Sequence, residues 1–210
     1  MGTCAIRGNF LKRQNRSFGI RAIQFLTAKV ISAILASLHL LPYPKRVALG
    51  GAFFQYVVSP LSKNKRRILE NINHVMPEMD QTERARLIAG VPNNIGRTLT
   101  ELFFPDDFLR IIDQCPLTGE GYEAFKIARA IGQPVILVAG HIGNYDAIRG
   151  KLVREGYPIG SLYKPMKNPY FDQEYVETIS RIGAPLFPND ANGMGQMIKA
   201  LRRRETIALM

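Results

Sequence analysis

The chain has 210 residues, 46% hydrophobic and 21% charged, which excludes a disordered tail and a disulfide-dense miniature and favours one domain or two short ones. Eighteen glycines and thirteen prolines exclude collagen-like and Pro-rich classes, and Cys4 and Cys115, far apart with no CxxC, indicate neither a disulfide framework nor a zinc site. Of 28 Lys and Arg, twelve fall in residues 1–69 without one acidic residue, while the other 16 face all 17 Asp and Glu, so the net charge of +11 belongs to the front of the chain.

That front third calls for an anionic partner, a membrane surface or a nucleic acid. Hydrophobicity separates the two. Ile23 to Leu41 holds thirteen apolar residues in nineteen, and Val47 to Leu61 runs fifteen residues without a charge. A spanning helix needs about 20 apolar residues, so the first stretch is borderline and the second short. Arg13, Arg16 and Arg21 precede the first stretch, and Lys45 and Arg46 follow it. Because positive flanks stay on the cytoplasmic side, a helix lying in the interface fits better than a single span, which remains the alternative. An Arg-rich, acid-free start is also the composition of a mitochondrial targeting segment. Nucleic acid is disfavoured, since Lys63-Asn64-Lys65-Arg66-Arg67 is the only dense basic cluster and it opens a helix. Residues 1–61 therefore read as a basic, apolar membrane anchor region.

A helical region follows over residues 62–115. Ser62 is placed to cap a helix through about His74, closed by Met76-Pro77, and Thr82 to cap another. Pro92 is expected to interrupt the latter, with a restart from Asn93 to Phe104. His39 reads as interfacial and His74 as a partner of its helix C-terminus.

From residue 116 the texture changes. Leu117-Thr118 is a short strand candidate, Tyr122–Ile131 a helix, and Val135–Val138 an apolar run expected of a strand buried on both faces. Then come helix Tyr145–Glu155, strand Ile159–Tyr163, helix Phe171–Arg181, strand Pro185–Phe187, helix Met194–Arg203 and strand Thr206–Met210. Short apolar strands alternating with helices of about ten residues predict an α/β fold, a largely parallel sheet flanked by helices over residues 116–210. Gly193-Met194-Gly195 reads as a helix-entry loop. A central strand ending on the last residue predicts that the chain is cut short.

The run Ala139-Gly140-His141-Ile142-Gly143-Asn144-Tyr145-Asp146 carries the chemistry. His141 stands just past a strand, where α/β sheets place their ligands. On one helix a five-residue offset would set His141 and Asp146 about 140° apart. With Gly140 and Gly143 breaking the backbone, His141 lies in the loop and Asp146 in the first helical turn, so the carboxylate can reach the imidazole. A histidine so held is an oriented general base, and with no adjacent Ser or Cys the alcohol it deprotonates belongs to a substrate. A strand-end histidine beside an Asn/Asp cap is the structural alternative.

His141 to Asp146 matches the H-x-x-x-x-D motif of the lysophospholipid acyltransferase superfamily. The surroundings resemble its lipid A late-acyltransferase branch, the lauroyl and myristoyl transferases. The matches are Leu41-Pro42, Arg67 and Asn71 ahead of Met76-Pro77-Glu78, Gly96-Arg97 with Glu101, Gly119, Tyr163-Lys164-Pro165 with Asn168-Pro169, Arg181-x-Gly183 and Met197-x-x-x-Leu201. The resemblance implies transfer of a fatty acyl group from acyl carrier protein to a hydroxyl of a lipid A precursor at the cytoplasmic face of the bacterial inner membrane. It implies His141 as base, Asp146 as its partner, and Asn144, Lys164 and Arg181 at the substrate, with no metal or bound cofactor. Lys164 departs from the arginine usual there and lacks its bidentate fork, which makes Arg181 the better oxyanion or phosphate group. The family continues beyond Met210 with an Asp-Gln pair and further elements. Transfer to another lipid acceptor, or a non-catalytic peripheral membrane relative, are the rival expectations.

Overall fold

The computed structural model describes residues 18–209. Cys4, Arg7, Lys12, Arg13, Arg16 and the last residue of the expected final strand, Met210, lie outside the described residues. The chain divides into two compact units, one Leu35–Phe104 and the other the remainder.

The α/β unit begins with most of helix α1 (Phe18–Leu38), the first apolar stretch. Ala28 is its one buried residue, and its mean hydropathy of 1.5 over 21 residues makes it long and apolar enough to cross a membrane. One flank is nonetheless tied to protein. Asn168 Nδ2 donates to Gln24 O at 2.8 Å, Ser32 Oγ donates to the Glu174 carboxylate, and Phe25 meets Tyr170 edge-on at 5.4 Å.

The sheet is built from β1 (Val135–Val138), β2 (Ile159–Tyr163), β3 (Leu186–Pro188) and β4 (Thr206–Leu209), all parallel, in the order β1-β4-β2-β3. The last strand in sequence is thus internal, as its apolar run predicts. Helices α5 (Pro105–Asp113), α6 (Glu120–Ala130), α7 (Asp146–Arg154), α8 (Pro169–Ser180) and α9 (Ala191–Arg202) accompany it. Strand alternation sends Val135, Leu137, Ala208 and Ile159 to one face, where they pack with Phe125 of α6 and Leu152 of α7. Ile207, Leu162, Leu209 and Phe187 go to the other face, under Met197 and Ala200 of α9.

Two sequence expectations change here. Val135–Val138 is not covered on both faces: it is a sheet edge, and Ile136 (50% exposed) and Val138 (82%) point to the side where α9 covers β3 and β4 instead. Leu117-Thr118 forms no strand. Gly119 (φ 125°), in a conformation that resists a side chain, turns the chain straight into α6, and Leu117 packs against the Phe125 cluster.

The helical unit comprises α2 (Tyr43–Phe53), a π-helical turn (Phe54–Val58), α3 (Asn64–Val75) and α4 (Gln81–Phe103). Asp80, not Thr82, caps α4, its carboxylate accepting from the amides of Thr82 and Glu83 at 2.8 and 2.9 Å. Nor does Pro92 break that helix: α4 runs through it, with the ring buried. Packing overrides the local rule. A Cβ on Gly50 would lie 1.8 Å from Thr100 Oγ1, and one on Gly96 would lie 2.3 Å from Gly50 O, so α2 and α4 touch backbone to backbone.

Candidate active site

In a parallel sheet every loop after a strand opens at the same edge, and ligands of α/β folds gather there. That edge holds His141, in the loop after β1, and Lys164, one residue past β2. Asn144 and Asp146 lie at the start of α7, and Asn168 caps α8, its Oδ1 accepting from Tyr170 N at 3.1 Å. His141 and Lys164 are exposed, Asn144 half-buried, and Asp146 only 4% exposed.

Asn144 begins the helix: its Oδ1 accepts from Asp146 N at 3.1 Å, satisfying one of the donors a helix start leaves open. Asp146 in turn faces inward. Its Oδ1 accepts from Arg149 Nε at 2.6 Å, and Arg149 Nη1 donates to Gly183 O at 2.8 Å, both side chains being almost wholly buried. Two buried charges are tolerable only when paired and further hydrogen-bonded, as these are. The His141 ring stacks at a tilt on Tyr145, 4.7 Å between centroids. Among the described residues no hydrogen bond joins His141 to Asp146. The order loop-then-first-turn is as the spacing predicts, but the carboxylate is held by Arg149.

Arg149 and the two tyrosines beside it escaped the sequence reading. Arg149 lies three residues after Asp146, a spacing that sets both on one side of a helix, so that pair was legible. Tyr175, on α8, had no sequence signal. Burial pushes its hydroxyl well above the usual tyrosine range, helped by the charges of Tyr145 and Asp146 and opposed by Arg149. Burial raises Tyr145 too, helped by the Asp146 carboxylate and opposed by Arg149.

Arg181 is not placed with these groups. It caps the C-terminus of α8, the end opposite Asn168, and twelve helical residues separate the two by about 18 Å. Both its exposed guanidinium and the exposed carboxylate it donates to, Asp106 on α5, lie outside the core. His39 rests edge-on against Phe104 at 4.8 Å within the helical unit, and His74 ends α3. Gly193 is buried inside α9, where a Cβ would strike Pro188 O at 1.8 Å, so its glycine serves packing. No three His, Cys, Asp or Glu side chains among the described residues are grouped to hold a metal ion.

The sequence profile described as bacterial lipid A biosynthesis acyltransferase matches residues 14–210. A lipid A biosynthesis acyltransferase of Haemophilus influenzae is 23% identical over 175 residues, covering 81% of this chain and 54% of the relative. A lipid A biosynthesis lauroyltransferase of Escherichia coli K12 is 25% identical over 171 residues, covering 80% and 54%. The chain spans about half the length of these curated relatives.

Proposed function

Because the chain belongs to the bacterial lipid A biosynthesis acyltransferase family, we propose that it transfers a fatty acyl group from acyl carrier protein to a hydroxyl of a lipid A precursor, at the cytoplasmic face of the inner membrane. One observation carries the reading: His141 stands exposed where β1 opens, with Asp146 in the first turn of the helix that follows. A ring nitrogen of His141 takes the proton of the acceptor hydroxyl as that oxygen attacks the thioester carbonyl carbon. The tetrahedral adduct collapses, the carbon–sulfur bond breaks, and the thiolate takes the proton back from the imidazolium. Ester and free thiol are the products. The Asp146 carboxylate stabilises the imidazolium while it exists, and catalytic hydrogen bonds of this kind tighten only when substrate is bound.

Lys164 and Asn144 share the edge with His141 and are the groups proposed to meet the acceptor. Arg181, engaged by Asp106 at the other end of α8, stands apart from them.

Residues 1–61 are proposed as the anchor region, 62–115 as a helical region and 116–210 as part of the acyltransferase core. Within the anchor, α1 supports an in-plane arrangement. Its contacts with α8 run from Gln24 to Ser32, about 12 Å along the axis, and a helix in lipid for its whole length has no such flank. Asn168 joins α1 to the loop that carries Lys164, so the anchor adjoins the proposed acceptor edge.

The test is transfer from an acyl carrier protein thioester to a lipid A precursor by membranes holding the full protein. His141→Ala should lower turnover at least 10²- to 10⁴-fold, the usual worth of a positioned base, with membrane association unchanged. Asp146→Asn should lose less, since it spoils charge and not the base. Substantial turnover in His141→Ala ends this reading.

A further inference from the structure

The second apolar stretch has two sides of opposite character. Arg46, Val47 and Gly51 of α2 are buried, and Gly50 and Gly51 lie against Gly96, Asn93 and Arg97 of α4. Two polar side chains on that side are matched within the unit: Arg46 Nε donates to Leu41 O at 2.7 Å, and Asn93 Nδ2 donates to Gln55 Oε1 at 2.9 Å. The other side is apolar and bare. Leu49 is 50% exposed, Phe53 54%, Tyr56 72% and Leu61 86%, with Val57 between them. Leu49, Phe53 and Tyr56, spaced by four and three residues, share one stripe with Val57 beside it, and Leu61 follows in the turn after the helix. The π-helical turn, closed by Ser59 N donating to Phe54 O at 2.8 Å, carries the stripe past Phe53 and does not end it.

An apolar stripe of this length left in water marks a contact surface. Its surroundings identify the occupant. Lys45 stands exposed at one end and Lys63, Lys65, Arg66 and Arg67 at the other, and the first acidic residue in the chain is Glu70. Apolar and aromatic side chains between cations match an anionic bilayer, acyl chains beneath and phosphates at the rim. A second copy laid on the stripe would bring cations against cations.

Resting on the membrane location in the proposed function, we propose that α2 and its π-helical turn make a second, in-plane membrane contact. The Leu49–Leu61 stripe inserts into the acyl boundary of an anionic bilayer while the glycine side stays packed on α4. The segment does not span. Tyr43 to Val58 reaches about 24 Å as a helix, less than the ~30 Å hydrocarbon core, and α4 occupies its inner side.

The chain contains no tryptophan, so Phe53→Trp in the full chain is a single-site fluorescent probe. On vesicles of phosphatidylglycerol and phosphatidylethanolamine its emission should shift to the blue and be quenched by brominated acyl chains, with less of both on phosphatidylcholine alone. Adding Leu49→Glu and Val57→Glu should remove the quenching and weaken vesicle partitioning about tenfold or more, with the helical circular dichroism unchanged. Flotation without quenching overturns the proposal and leaves α1 as the membrane contact. So does absence of flotation, and so does blue emission without lipid that is lost on dilution, which marks a second copy. Fluorescence is read independently of catalysis. Loss of the His141 mechanism therefore leaves this contact standing, and loss of the contact leaves the mechanism standing.

Discussion

The helical unit and the α/β unit use apolar residues in opposite ways. Val47 to Leu61, uncharged throughout, keeps Leu49, Phe53, Tyr56 and Leu61 outside, and its inner contact is made by Gly50, Gly51 and Gly96. The strands are shorter, yet Ile159 and Ile207 are at most 1% exposed and organise two layers of side chains, one on each face. In the helical unit small residues bring backbones together and large ones face out. The two inner strands of the α/β unit, β2 and β4, do the reverse with Ile159 and Ile207, and the start-of-helix edge of that unit also buries a charge pair. Hydrophobicity alone therefore fails as a guide to burial in this chain: what matters is whether the stripe opposite holds glycine or bulk.

The sharpest way to break the contrast is to attack the buried pair. Arg149→Met should leave the Asp146 carboxylate unpaired and Gly183 O without its donor, at a cost of about 3–5 kcal/mol. Adding Asp146→Asn should return part of that loss, because the stranded charge goes too. Urea unfolding of the two variants beside wild type measures both. If Arg149→Met unfolds at the wild-type midpoint, the pair does not organise that edge.

In the helical unit the equivalent damage comes from adding atoms. Gly96→Val sets its Cβ where Gly50 O and the Phe54 side chain already stand, and should cost about 1–3 kcal/mol as α2 is pushed off α4. The comparison predicts that Gly90→Ala, on the same helix with open space around its Cα, is neutral or stabilising. Thermal melting by circular dichroism separates them, and equal effects at the two glycines would mean that close approach is not what holds α2 to α4.

How much of this could be read from residues alone follows the same division. β1 and β2 fall where their apolar runs are, and α7 to α9 start or end within three residues of the predicted bounds, because alternating strand and helix periods are local signals. The placement of His141 in a loop and Asp146 in a first turn was legible from Gly140 and Gly143. What was not legible depended on partners distant in sequence. Pro92 inside a helix is decided by packing, the exposed face of β1 by where α9 lies, and the Arg181–Asp106 pair by two helices 75 positions apart. The spacing put Asp146 within reach of His141 but could not rank that contact against Arg149.

The smallest expected effect lies at high pH and tests the burial of the edge itself. Tyr175 keeps its proton in the folded chain well above the ordinary value of 10, first because it is buried and then because Tyr145 and the Asp146 carboxylate oppose a second negative charge. A raised folded pKa means that the folded state binds the proton more tightly than the unfolded one. The associated stability is complete below pH 10, then declines as the unfolded tyrosine ionises and the folded one does not. The slope approaches about 1.4 kcal/mol per pH unit for one such group. Tyr175→Phe removes the group and should flatten the decline between pH 10 and 11.5 while changing little of the pH dependence below 9. The contrast is read as the difference in urea midpoint between wild type and variant at pH 9 and pH 11, which cancels the other tyrosines. A wild-type midpoint that falls no faster than that of the variant would mean Tyr175 meets water as freely as the exposed Tyr56, and the edge around Asp146 would then be as open as the exposed stripe of the helical unit.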